Sequence, residues 1–252
     1  ISDRLTISRD AEITLESNPS SADALRFKQY RLAGVNRLSI GVQTFHDHAL
    51  RHLGRLHSGD EARHALDHLP AAGFDRWNID LMHGLPGQSA TMAEADIAEA
   101  IERSASHISW YQLTIERNTR FWSAPPTLPA EDELECIQSR GEEMLHDAGL
   151  LQYEVSAYSR SGEKSRHNLN YWRFGDYVGL GAGAHGKVTR PAGDIVRTHR
   201  TRLPTDYLKL NQRAGMAPPA TATVSTQTVI AEFAMNALRL KVGTSLDEFT
   251  ER

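Results

Sequence analysis

A strand-then-helix unit recurs through the first half of the chain, and its clearest boundary signal is a glycine that follows a helix end at three places. Ala33-Gly34, Ala72-Gly73 and Ala148-Gly149 mark these ends, and apolar residues restart within two positions. Glycine just past a helix end can adopt the left-handed conformation that caps it. Such alternation predicts an α/β fold with a parallel sheet, either open or rolled into a barrel.

Apolar periodicity gives the approximate bounds of these elements. The predicted strands are Glu12–Glu16, Arg37–Gln43, Trp77–Met82, Ile108–Ile115 and Gln152–Ala157. The predicted helices are Ala22–Ala33, Asp60–Ala72, Met92–Ser104, Glu131–Ala148 and, further on, Val229–Leu240. Linkers are expected at the Pro/Ser-rich segment Ser123–Pro129, the Gly/Ser/Lys-rich segment Ser159–Ser165 and the segment Ala214–Thr226.

Polar residues stand at the downstream ends of three predicted strands, namely Glu16, Gln43 and Asp80. Ligands gather at the carboxyl ends of parallel strands, so these side chains are candidates for one small-molecule site. Taken alone, Glu16 could cap a helix and Gln43 could bind backbone groups in a turn. Asp80 is harder to explain structurally, because a buried carboxylate is costly unless it is paired or functional.

Composition narrows the class of protein. The 252 residues are 40% hydrophobic and 24% charged, enough for one large domain, or for one domain and part of another. The formal net charge of -4 disfavours nucleic acid as a partner. No apolar stretch reaches the roughly 20 residues of a membrane span, so the expectation is a cytoplasmic protein that is not integral to a membrane. Cys136 is the single cysteine, which excludes an intrachain disulfide.

Four co-linear segments carry a family resemblance: residues 12–19 (EITLESNP), 37–45 (RLSIGVQTF), 53–58 (LGRLHS) and 78–88 (NIDLMHGLPGQ). Together they resemble the radical S-adenosylmethionine proteins of the oxygen-independent coproporphyrinogen III oxidase group. Residues 167–177 (HNLNYWRFGDY) and 179–186 (GLGAGAHG) are further similar to the HemW haem chaperones, whose hallmark is His-Asn-x-x-Tyr-Trp.

The resemblance implies a partial (β/α)6 barrel, of which this chain holds the third to sixth strands, followed by an α+β extension. It implies three parts: residues 1–122 as the C-terminal part of the barrel, 123–217 as the extension, and 218–252 as the start of a truncated helical domain. The cysteine loop that binds a 4Fe–4S cluster is expected upstream of Ile1. Because the cluster cleaves S-adenosylmethionine in the family, this chain alone is expected to be inactive.

The resemblance also assigns site residues. Glu16, Gln43, Arg55 and Asp80 match positions that contact S-adenosylmethionine, and their carboxylate, amide and guanidinium groups suit its hydroxyl, amino and carboxylate groups. Two departures from the family pattern are expected to lie in loops near this site and to affect substrate or haem geometry more than the fold. Arg117-Asn118 stands where relatives commonly show Pro-Gly, and His83 replaces a common tyrosine.

His167, Tyr171 and Trp172 are the implied haem-binding residues. From spacing alone His167 is an ordinary surface or capping histidine, but the resemblance makes it the candidate ligand of the haem iron, and Tyr171 and Trp172 offer apolar faces to a porphyrin. His185 is a second candidate. A zinc site at His48/His52 or His64/His68 lacks a matched third and fourth ligand, so a solvated helix face is the better interpretation.

The implied function is a haem chaperone that binds haem and transfers it to acceptor proteins. The main alternative is an oxygen-independent coproporphyrinogen III oxidase, which decarboxylates propionate side chains, and the His-Asn-x-x-Tyr-Trp motif argues against it. A third reading, outside this family, is a βα-barrel metabolic enzyme with Glu16, Asp80 and Glu116 as acid–base groups.

Overall fold

The computed structural model describes residues 6–19, 24–213 and 218–250, and the chain divides into two compact units, residues 1–165 and 166–252. The first unit holds a six-stranded sheet in the order β1-β2-β3-β4-β6-β5. Its strands are Thr14–Ser17 (β1), Arg37–Gln43 (β2), Trp77–His83 (β3), His107–Gln112 (β4), Leu151–Glu154 (β5) and Ala157–Ser159 (β6). The first four are parallel, whereas β6 pairs antiparallel with both β4 and β5.

Helices alternate with the parallel strands, as the sequence predicted. They are Ala24–Leu32 (α1), Asp47–His52 (α2), Gly59–Ala71 (α3), Ala90–Glu102 (α4), Arg120–Ser123 (α5) and Glu131–Asp147 (α6). Gly34, Gly73 and Gly149 have φ angles of 100°, 83° and 75°, so the glycine caps are confirmed. Ser58 and Glu61 form a reciprocal capping box that fixes the start of α3.

Some predicted bounds were wrong. The predicted strand Gln152–Ala157 is two antiparallel strands joined by a tight turn at residues 155–156, so the sheet is mixed rather than wholly parallel. The strand predicted to end at Ile115 ends at Gln112. The first two residues of the predicted helix Ala22–Ala33 lie outside the described residues, and its described part begins at Ala24.

The central strands have one apolar and one polar face. Cross-strand neighbours in a parallel sheet point to the same side, and the row Ile40–Ile79–Ile108 belongs to the fully buried core. The alternate row is Glu16, Ser39, Asn78 and His107, one residue from each parallel strand. Parallel strands usually bury apolar residues on both faces, so this polar face is a candidate functional site.

The second unit holds a small antiparallel sheet in the order β7-β8-β9. Its strands are His185–Thr189 (β7), Ile195–His199 (β8) and Ala220–Thr223 (β9), and its helices are Arg166–Trp172 (α7), Pro204–Arg213 (α8), Thr226–Ala237 (α9) and Leu246–Thr250 (α10). Phe174, Ile195 and Phe233 form the centre of its core.

The observed division differs from the expected parts 1–122, 123–217 and 218–252. β6 extends the first sheet well beyond residue 122 by pairing with β4, and β9 pairs with β8 across the expected boundary at 217. In the described part of the chain, no helix has the length and apolar character to cross a membrane.

Candidate functional site

Asp80 lies in the middle of β3 at the centre of a hydrogen-bonded network on the polar face. Ser39 Oγ donates to Asp80 Oδ2 at 3.1 Å, and Asn78 Nδ2 donates to Oδ1 at 2.6 Å. Burial raises the pKa of Asp80, and the nearby Glu16 carboxylate raises it further, whereas the hydrogen bonds from Ser109, Asn78 and Ser39 oppose the rise. The network thus fixes both oxygens of a buried carboxyl group.

Asn78 extends this network across the sheet. Its Oδ1 is 2.7 Å from His107 Nδ1 and accepts from the Ser109 backbone N–H at 3.0 Å. His107 Nε2 lies 2.8 Å from the hydroxyl of Tyr153. With Nδ1 protonated, His107 donates to Asn78 and accepts from Tyr153, and this tautomer holds the Asn78 amide in the orientation that serves Asp80.

Gln43 ends β2 in a backbone conformation that is rare for its residue type. Its φ is 70°, and the β2–β3 register shifts between Ile40 and Gln43. The side chain is buried, and its Oε1 accepts a hydrogen bond of 2.6 Å from the Tyr111 hydroxyl. Burial raises the pKa of Tyr111 to about 12, and the charge of Asp80 adds to the rise. A left-handed residue at a bulge is typical of functional sites, where it aims a side chain.

Arg55 lies in the loop between α2 and α3 and reaches back toward the first strand. Its Nη1 donates to Asn18 Oδ1 at 3.3 Å. His57, two residues on, is buried with Nε2 3.0 Å from the backbone oxygen of Val42, next to Gln43. Burial lowers the pKa of His57, which favours the neutral ring as the donor to this carbonyl. His57 therefore fastens the loop of Arg55 to the end of β2.

The structure brings together the four residues of the S-adenosylmethionine assignment at one end of the polar face. The charge of Glu16 acts on Asp80. The charges of Asp80 and Arg55 both act on Tyr111. The Tyr111 hydroxyl donates a hydrogen bond to Gln43. Sequence reasoning missed Asn78, His107, Tyr111 and Tyr153. Only Asn78 carried a local signal, since it stands two residues before Asp80 and therefore on the same strand face.

The two departures from the family pattern have local explanations. Asn118 has a φ of 64°, a left-handed conformation that asparagine tolerates better than most residues and that suits it to a glycine position. His83 was expected to lie in a loop, but it is the last residue of β3. It is buried against Trp110 with ring centroids 4.3 Å apart, and burial lowers its pKa to about 4. His83 therefore belongs to the packing of the helix-facing side.

In the second unit, α7 carries the His-Asn-x-x-Tyr-Trp motif. His167 and Tyr171 are exposed and stand one turn apart, so they share a helix face, whereas Trp172 points about 140° away from His167 at 100° per residue. Trp172 lines a cavity of about 350 Å³ with Phe233 of α9, and the Arg239 guanidinium lies 4.3 Å from its ring. Trp172 also lines a second cavity, of about 300 Å³, together with Tyr171, and the lining of that cavity does not include His167.

The glycine run after the motif folds back on its own strand. A Cβ on Gly179 would lie 2.1 Å from the backbone oxygen of His185, and one on Gly186 would lie 2.5 Å from Thr198 Oγ1. The strand β7 follows, not a helix, so the run is no phosphate-binding loop. Within the described residues, no group of three or more histidine, cysteine or acidic side chains is arranged to hold a metal ion.

Comparison with known proteins agrees with this geometry. The model of the radical SAM superfamily matches residues 1–100. A solved structure of coproporphyrinogen III oxidase (HemN) from Escherichia coli shares the fold with a TM-score of 0.75 at 20% identity, over 92% of this chain and 56% of that one. The parallel βα unit with its polar strand face is therefore a radical SAM fold.

Curated relatives narrow the class. The chain is 52% identical to the heme chaperone HemW of Escherichia coli (strain K12), over 82% of this chain and 54% of the relative. It is 51% identical to the heme chaperone HemW of Haemophilus influenzae, over 79% of this chain and 52% of that protein. This chain belongs to the HemW-like proteins of the radical SAM superfamily, and it spans about half the length of these relatives.

Proposed function

We propose that this protein is a haem chaperone that binds haem and passes it to acceptor proteins. The observation that carries the proposal is the exposed His167–Tyr171 pair on α7, an imidazole and an aromatic ring on one helix face, in a chain 52% identical to a protein named heme chaperone HemW. Imidazole is a common ligand of haem iron, and an adjacent aromatic ring can support the porphyrin plane.

Haem binding is expected to depend on His167. In an anaerobic titration followed by Soret absorbance, the chain should bind one haem saturably, and His167→Ala should weaken binding at least about tenfold because the iron loses an axial ligand. His146→Ala is the matched control, since the His146 side chain is 74% exposed on α6 of the other unit. Equal affinities of the three proteins would contradict the assignment of His167.

We further propose that Glu16, Gln43, Arg55 and Asp80 bind S-adenosylmethionine, the cofactor of the superfamily. The donors and acceptors on the polar face fit this cofactor. Ser39 and Asn78 hold the Asp80 carboxyl group in place. The register shift before Gln43 orients its side chain, and Arg55 supplies a cation. When bound to a reduced 4Fe–4S cluster, the cofactor supplies radical chemistry. Cys136, the single cysteine, does not provide the thiolates that such a cluster needs, so the residues of this chain would hold the cofactor and not the cluster.

The affinity for S-adenosylmethionine is expected to depend on the charge at Asp80. Asp80→Asn retains the size of the side chain but removes its charge, and it should weaken binding about tenfold in a calorimetric titration. Asp75→Asn, at an exposed position of the same unit, should leave the affinity unchanged. If both variants bind as the parent chain does, Asp80 is not a cofactor ligand. Circular dichroism distinguishes this loss from misfolding.

A further inference from the structure

A cluster of positive and protonatable side chains stands at one end of the small sheet. His185 and His199 are cross-strand partners of β7 and β8, and their rings stack with centroids 6.1 Å apart. With Arg200 and Arg202 they line an open cavity of about 530 Å³, whose other lining residues are Gly183 and Thr201. We call His185, His199, Arg200 and Arg202 the cationic cluster. The residues that line the cavity include no aspartate or glutamate.

The neighbouring cations of the same strand face are already neutralised. Lys187 pairs with Asp176 at 2.8 Å, and Arg197 pairs with Glu232. By contrast, within the part of the chain that the structure describes, His185, His199 and Arg202 have no acidic partner within ion-pair distance. Positive charge that the fold leaves uncompensated in a cavity favours an anionic ligand.

The backbone that forms the cavity is held in place by hydrogen bonds. The Gly183 N–H donates to the Thr201 oxygen at 2.9 Å, and the Arg200 N–H donates to the Ala184 oxygen at 2.9 Å. Gly183 has a φ of 71°, and a Cβ there would lie 3.8 Å from the backbone of Arg202. The loop before β7 is thus fastened to the segment after β8, which fixes the positions from which the cluster's side chains project.

Aromatic rings lie beside this cluster. Tyr171 of α7 contacts Tyr177 with centroids 4.7 Å apart, and Tyr177 pairs with Lys187 through two backbone hydrogen bonds of 2.9 Å. Lys187 is two residues from His185 on β7, a separation of about 7 Å along a strand. An apolar contact surface and a cationic cavity therefore stand side by side, the pattern that an amphipathic planar ligand with carboxylate groups requires.

We infer that the cationic cluster binds the propionate carboxylates of haem, with Arg202 and the two histidines as hydrogen-bond donors. The inference rests on the proposed haem-binding function and gives it a second point of attachment, distinct from the iron ligand. Arginine suits this role because its planar fork donates two parallel hydrogen bonds to a carboxylate.

Esterified haem separates the propionate contacts from iron ligation. Haem and haem dimethyl ester are titrated into the full chain at constant ionic strength, and the ester should bind the parent chain about tenfold more weakly. Arg202→Gln should weaken haem binding by a similar factor and reduce the difference between the two ligands to less than about twofold. Arg202→Lys, which retains the charge, should keep part of that difference.

Arg190→Gln is the matched control, because Arg190 lies at the far end of the same hairpin and pairs with Asp194. It should retain the full tenfold preference for haem over the ester. Equal binding of haem and ester by the parent chain overturns the inference and leaves the proposed function intact. An equal loss in Arg190→Gln and Arg202→Gln also overturns it, as a general charge effect. No binding of either ligand overturns both proposals.

Discussion

Replacing Arg37 with methionine is expected to lower the free energy of unfolding by about 3 kcal/mol, because it breaks a buried ion network from one side. Arg37 begins β2, and its side chain is 2% exposed. One guanidinium nitrogen lies 3.3 Å from the Glu12 carboxylate, and the other donates to the Glu163 backbone oxygen at 2.7 Å. Desolvation lowers the pKa of Arg37, and Glu12 opposes this effect. Urea unfolding followed by circular dichroism measures the loss.

Arg140→Met is the control variant, because it removes an arginine–glutamate pair that is exposed rather than buried. Arg140 also pairs with a glutamate, Glu94, but its side chain is 58% exposed. Exposed pairs contribute little to stability, so this variant should unfold at nearly the same urea concentration as the parent chain. A similar loss in both variants would mean that burial does not determine the contribution of Arg37.

Gly141→Ala is expected to lower the free energy of unfolding by about 3 kcal/mol, through overpacking of the core. Gly141 lies in α6, where a Cβ would stand 2.0 Å from the Trp110 ring. Trp110 is 2% exposed and packs against the His83 ring, so it has little room to move. In an unconstrained helix the same change stabilises by roughly 1 kcal/mol, so the sign of the effect is diagnostic.

Two further variants test this explanation. Ser139→Ala changes an exposed position of the same helix and should have almost no effect on the unfolding midpoint. Trp110→Phe shortens the ring, so the double variant with Gly141→Ala should lose less stability than the two single losses together. Additive losses would show that the Cβ and the ring do not compete for space.

Local signals account for much of the predicted fold. The bounds of β2 agree with the sequence prediction, since an apolar run between a helix-capping glycine and a polar end is readable within a dozen residues. The turn at residues 155–156 and the pairing of β6 with β4 were not predicted, because strand direction depends on partners that are distant in sequence, such as His107 and Ser159. Motif resemblance supplied the haem-chaperone family, which composition and periodicity alone did not.

Some residues of the candidate site were identifiable from local sequence, and others only from tertiary contacts. Gln43 and Asp80 were identifiable because each ends or interrupts an apolar run, whereas His107 and Tyr153 became visible only through contacts to residues 29 and 46 positions away in sequence. Ser159–Ser165 was predicted to be a linker, yet Glu163 accepts a 2.6 Å hydrogen bond from Arg76 that no local pattern reveals. The side-chain direction of Trp172 likewise depended on the packing of α9.

The hydrogen bonds of Asn78 have a consequence for how this family can vary. One amide serves Ser39, Asp80, His107 and Ser109 at once, so a single replacement there leaves several buried groups without partners. A tolerated substitution of Asn78 therefore requires simultaneous substitutions of its hydrogen-bond partners. Sequences that differ at position 78 should also differ at its neighbours, and transplanting one residue between relatives should cost more than transplanting the whole set.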